Sequence, residues 1–90
     1  MLRITLISAA SSETLRLEGR VAGDSVEELR RQCAARLGGK GLGQVVLDLA
    51  DVSFIDREGV ELFRELCRWN VVVTRYSPFV GELLKEVLPC

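Results

Sequence analysis

The sequence contains no histidine. That absence removes the commonest general base, the usual activator of a serine or cysteine nucleophile and a principal zinc ligand. The three cysteines, Cys33, Cys67 and Cys90, are odd in number and widely spaced, with no C-x-x-C pair. No metal site is therefore indicated. Cys33 and Cys67 fall on predicted apolar helix faces, where a reduced cysteine behaves as a small hydrophobe. Cys90, the last residue, is expected to be exposed and able to crosslink two chains in air. Positive charge is not in excess either: twelve basic residues face thirteen acidic ones, for a net charge of −1. A nucleic-acid surface normally needs a clear basic surplus, so no nucleic-acid partner is expected. No apolar run approaches the roughly 20 residues of a membrane span. The opening "MLRITLISAA" has one basic residue and alternates, unlike a signal peptide, so the expected location is cytoplasmic with no direct membrane insertion. Repeats and linkers are also lacking.

What is present is the composition of one soluble globular domain over residues 1–90, 48% hydrophobic and 28% charged. "LRITLI" (2–7) and "TLRLEGRV" (14–21) alternate apolar and polar residues, as strands with one face toward water do. "SAASSE" (8–13) reads as the turn of a hairpin between them. Asp24 looks like a helix N-cap, with Glu27 three residues on completing a capping box. Val26, Leu29, Cys33 and Leu37 keep helical spacing over about 25–37. "GGKGLG" (38–43) follows a helix and precedes a strand, the reverse of a phosphate loop, and is expected to be a helix C-cap and connection. "QVVLDL" (44–49) has the look of an interior strand. A helix is predicted over 57–69, and "NVVVT" (70–74) is a strand rich in β-branched residues. Ser77 and Pro78 mark the start of a last amphipathic helix. Strands alternating with helices in this way imply right-handed crossovers and a mostly parallel sheet.

The chemistry concentrates in "VSFIDREGVELF" (52–63). Asp56 and Glu58 suit the positive end of the helix that begins there, whereas Arg57 opposes it. Pairing with Glu61 one turn later would offset that clash by a few tenths of a kcal/mol. On the predicted helix, Val60, Leu62, Phe63, Leu66, Cys67 and Trp69 cover about half the circumference, wider than the ~100° stripe one sheet contact needs. The excess either touches neighbouring helices or forms an apolar margin for a partner, with Leu62 and Trp69 at its edge. Carboxylate pairs such as Asp48 with Asp51, or Asp56 with Glu58, lack any nucleophile, base or metal beside them, so no enzymatic activity is expected.

In the order and spacing of "LRLEGRVAGDSVEELR", "VVLDLADVSFIDREGVELF" and "YSPFVGELL", the chain resembles the STAS domain. That is the fold of bacterial anti-sigma factor antagonists, also found attached to anion transporters. The middle segment is the most specific, because the family typically carries "LDLSGVSFIDSSGL" there. The resemblance implies an α/β fold: a four-stranded mixed sheet, its first strand antiparallel and the rest parallel, with three helices mainly on one face. It also implies a switchable binding module, in which the serine after the junction aspartate is phosphorylated by an anti-sigma factor that is also a serine kinase. Such a phosphate adds nearly two negative charges at a partner interface.

Here the phosphoacceptor position is Arg57, and the next serine is replaced by Glu58. Neither accepts phosphate by that route. Ala22 stands where the family often has an aspartate, and antagonists usually continue into a fifth strand and a last helix where these residues stop at Cys90. The expectation is a non-enzymatic, cytoplasmic, bacterial module without a cofactor, binding a regulatory protein without junction phosphorylation. Its contact surface would centre on Asp56, Arg57, Glu58 and Gly59, with Val60, Leu62 and Trp69 adding apolar area. The partner is an anti-sigma factor or kinase-like ATPase, or a component of a lipid or anion transport system. Nucleotide or lipid binding assisted by Arg57 and Arg20 is the alternative. Homodimerisation is expected through the exposed "VVVT" edge or the margins of the last two helices.

Overall fold

The computed structural model describes residues 2–9, 12–37 and 44–88. The elements run β1 (Leu2–Ser8), β2 (Ser12–Val21), α1 (Asp24–Leu37), β3 (Gln44–Ile55), α2 (Arg57–Arg68), β4 (Val72–Thr74) and α3 (Pro78–Leu83). They form one four-stranded sheet in the order β1-β2-β3-β4. β1 pairs antiparallel with β2, while β2–β3 and β3–β4 are parallel. The expected mixed sheet with three helices is what the chain builds. The glycine run at 38–43 and Cys90 lie outside the described residues.

Alternation decides which face is covered. Leu15 and Leu17 of β2 and Val45, Leu47 and Leu49 of β3 are buried, and they join Leu29, Cys33, Leu62, Phe63, Leu66, Val80 and Leu84 of the helices in one core. All three helices contact β3. The opposite face carries the other residues of each strand. Arg16 pairs there with Asp51 at 3.2 Å and Arg75 with Asp48 at 3.6 Å, so the carboxylates Asp48 and Asp51 are occupied by guanidinium partners. Glycine matters at one strand position: Gly19, at φ 109°, sits at a register shift between β2 and β3, opposite the extra residue that β3 carries there.

Several boundaries differ from the sequence reading, each for a local reason. β3 continues through "ADVSFI" to Ile55, because Val52 and Ile55 remain buried and Val21 stays in register with Ile55. Asp24 is not an N-cap. α1 begins at Asp24 itself, its entry closed by Ser25 N–H to the Ala22 carbonyl and Val26 N–H to the Gly23 carbonyl. Glu27 pairs with Arg30 at 3.5 Å instead of closing a capping box. β4 is shorter than expected, since Asn70 takes a positive φ of 64° and Val71 falls outside the ladder. α3 starts as predicted, with Ser77 Oγ accepting from Val80 N–H at 3.1 Å and Pro78 following, but it ends at Leu83. Cys67 is disulfide-bonded, contrary to the free-thiol expectation.

Cys33 is a free thiol with none of its surface exposed. Burial penalises its thiolate and pushes its pKa up to about 11, from an ordinary 9.0, the nearby Arg36 guanidinium opposing this only in part. Between those values the unfolded chain gives up the proton and the folded chain keeps it, so stability falls as pH rises. The wild type should lose roughly 2 kcal/mol more than Cys33→Ala between about pH 8 and about pH 10.5 in urea melts. Equal losses in the two proteins would contradict this.

Candidate functional site

The site forms where β3 hands the chain to α2, and Asp56 organises it. Its backbone N–H donates to the Val21 carbonyl at 3.0 Å, tying the junction to the end of β2. Its extended backbone, φ −84° and ψ −178°, makes it the N-cap of α2. Oδ1 accepts the Gly59 N–H at 2.8 Å and Oδ2 accepts the Gly23 N–H at 3.0 Å. One carboxylate therefore holds both α2 and the entry of α1, with Gly23 in the left-handed region at φ 60°. Both oxygens of Asp56 are engaged internally, so its part in the site is to brace the surface.

Gly59 is buried for a steric reason. A Cβ there would lie 2.7 Å from Ile55 Cγ2 and 2.9 Å from the Val21 carbonyl oxygen. The first turn of α2 thus rests directly on the ends of β2 and β3, and Gly59 offers nothing to a partner.

Arg57 and Glu58 are exposed on that turn. Arg57 does not pair with Glu61, because Glu61 is taken by Arg64 at 3.5 Å. Among the described residues no carboxylate reaches Arg57 within ion-pair distance. It stands at the rim of an open groove between α1 and α2, about 520 Å³ in volume, lined also by Asp24, Glu27, Arg30, Glu58 and Glu61. Arg30 bonds Glu65 across the two helices and so fixes the groove's width. Four carboxylates against two guanidinium groups make the groove acidic, with Arg57 as an unpaired cation at its edge.

The apolar members of the expected surface separate. Leu62 is fully buried, which corrects its assignment to a partner margin. The wide apolar arc of α2 is used internally, since the helix packs against α1 as well as β3. Val60 is half-buried against the core. Trp69 is 41% exposed but sits at the C-cap, one helix length from Asp56, about 18 Å for twelve residues. Arg20 lies over the Phe54 ring at 5.2 Å, where it is stacked and not directed at an anion. Sequence reasoning missed the α1 half of the site, Gly23, Glu27 and Arg30. The glycine ahead of Asp24 was the available signal.

No group of three or more histidine, cysteine or acidic side chains among the described residues is placed to hold a metal. No helix among them is long and apolar enough to cross a membrane.

A mixed sheet of this strand order, with its third strand feeding a helix through an aspartate cap, fits the STAS class of small α/β domains. The chain belongs to that family: the family described as "Mlab, STAS domain" matches residues 4–87. Among solved structures, the anti-sigma factor antagonist SpoIIAA in its unphosphorylated form is similar, with a TM-score of 0.79 and 19% identity over 93% of this chain and 79% of that one. That likeness shows a shared fold. No curated protein matches the chain.

Proposed function

We propose that this chain is a non-enzymatic STAS interaction module that binds a regulatory protein through the junction groove, with no phosphorylation step there. The observation that carries this reading is Arg57: exposed, without a carboxylate partner, on a turn braced by Asp56, and standing where antagonists of the family carry their phosphoacceptor. A guanidinium has no hydroxyl to accept phosphate by the serine route, so the turn carries a positive charge where that route would add a negative one. Its surroundings specify the complement. An acidic patch would meet Arg57 but be repelled by Asp24, Glu27, Glu58 and Glu61, so the fitting partner places one acidic side chain among basic ones. The same four carboxylates weigh against the nucleotide or phospholipid alternative, since an anion at this helix N-terminus would face them.

Two partner classes suit a surface without a hydroxyl: an anti-sigma factor or kinase-like ATPase, and a component of a transport system, in which a small STAS subunit likewise needs no phosphoserine. The experiment is affinity capture from the native cell with identification of the retained protein. Binding of the purified pair is then measured for wild type, Arg57→Glu and Arg75→Glu. Arg57→Glu should weaken binding by about tenfold or more, a loss of ~1.4 kcal/mol, and Arg75→Glu should leave it unchanged. Wild-type affinity in Arg57→Glu would overturn the placement.

A further inference from the structure

Sheet edges in native proteins are blunted by charge, proline, bulges or shortness. β4 is short, at three residues. β1 is not. It has seven residues, one charge (Arg3) and no proline, and it pairs with β2 in an unbroken register from Leu2↔Gly19 to Ser8↔Glu13.

The hairpin end shows which of its backbone groups are free. Ala9 N–H donates to the Ser12 carbonyl at 2.9 Å, which extends the register by one pair. Hydrogen-bonded pairs alternate along an antiparallel ladder. Ile7, Thr5 and Arg3 therefore turn their N–H and C=O toward β2, while Ser8, Leu6, Ile4 and Leu2 aim theirs away from the sheet. The side chains of Leu2, Ile4 and Leu6 lie on the helix-covered face with their register partners. Yet Leu6 is 40% exposed while its partner Leu15 is fully buried. Leu2 and Ile4 pack against the core, but among the described residues the cover does not reach Leu6, which leaves the strand open along its edge and, at Leu6, over its apolar face.

We propose that β1 pairs antiparallel with β1 of a second copy, joining two sheets into one about a two-fold axis through Thr5. This register uses all of Leu2–Ser8 and brings the outward backbone groups of the two copies together. Ile4 lies opposite the partner's Leu6, so the apolar layer continues across the interface. Arg3 lies opposite the partner's Ile7, which places the two Arg3 side chains at opposite ends of the contact. Each keeps its own Glu18, at 3.8 Å, so no like charges meet. An unrelated strand could satisfy the backbone, but a copy of β1 satisfies the side-chain and charge pattern from both sides at once. Because the axis stands perpendicular to the sheet, the two junction grooves point in opposite directions. The dimer therefore presents two partner sites and does not depend on what occupies them.

Light scattering over a concentration series should give twice the monomer mass for the wild type and the monomer mass for Leu6→Lys, which sets a charge on the open apolar face. Mild oxidation should crosslink Thr5→Cys much faster than Ile7→Cys. Thr5 faces its own copy in a non-hydrogen-bonded pair, close enough for a disulfide, and Ile7 does not. Both variants carry the same native cysteines, so the background cancels. A wild type that stays monomeric into the high micromolar range, or equal crosslinking of the two cysteine variants, would overturn the proposal.

Discussion

Gly59→Ala is expected to lower stability by about 2–3 kcal/mol, read as a fall in the urea midpoint with unchanged slope. The added methyl would sit 2.7 Å from Ile55 Cγ2, 2.9 Å from the Val21 carbonyl oxygen and 3.1 Å from Val21 Cγ1. Neither neighbour has room to yield, since Val21 is 0% exposed and Ile55 2%. The Val21 carbonyl is also anchored as the acceptor of the Asp56 N–H. Alanine's better helix propensity, worth about 1 kcal/mol, offsets only part of this clash. Gly81→Ala is the matched control. There the contact is the Tyr76 ring, at 3.0 Å, and that ring is 41% exposed and able to swing aside. Gly81→Ala should be near neutral or slightly stabilising. A Gly59→Ala protein with an unchanged midpoint would mean that the first turn of α2 does not rest on the strand ends.

Asp56→Ala should cost about 2 kcal/mol, and Asp56→Asn about half of that. Alanine removes both acceptors, leaving the Gly59 N–H without its cap and the Gly23 N–H without its partner. Asparagine caps helices nearly as well as aspartate and keeps one oxygen for Gly59. Its amide nitrogen, however, is a donor and cannot receive the Gly23 N–H. The loss in Asp56→Asn therefore isolates the bond that ties α2 to the entry of α1, and the further loss in Asp56→Ala isolates the cap. Asparagine proving as damaging as alanine would show that the cap on α2 is not what the side chain supplies. In a binding assay, Asp56→Asn should weaken partner affinity although it touches no partner, because it frees one wall of the groove.

Most of the architecture was legible because its signals are local. Alternation in "LRITLI" and "TLRLEGRV" gave the hairpin, and Ser77 with Pro78 gave the start of α3. The misses come from contacts that a one-dimensional pattern does not carry. Leu62 lies at the edge of the apolar arc on a helical wheel, and only the packing of α2 against α1 decides that this edge is interior. Asp24 has the residue type of a cap, yet the cap that matters for α1 comes from Asp56, 33 residues on from Gly23. β3 seemed to end at Leu49 because "ADVSFI" mixes small, polar and apolar residues, whereas two register shifts, each with one extra residue on β3, keep the strand paired beyond that point. Sequence placed Asp56, Arg57 and Glu58 at the start of α2, where the structure has them, but it read Asp56 as a contact residue and not as a brace. The acidic wall contributed by α1 depends on the same long-range tie and was not visible.

The parallel pairing of β2 with β3 has a kinetic consequence. The β1–β2 hairpin closes through a short turn, but Arg16 meets Asp51 across 35 residues of chain, with α1 between them. Loop-closure entropy must be met before that pairing returns any energy, and topologies of this kind fold more slowly than those built from local contacts. Refolding should thus be limited by the arrival of β3 beside an already formed hairpin. Substitutions at Leu47 or Leu49 should slow it more than substitutions in β4, which can dock only after β3 is in place.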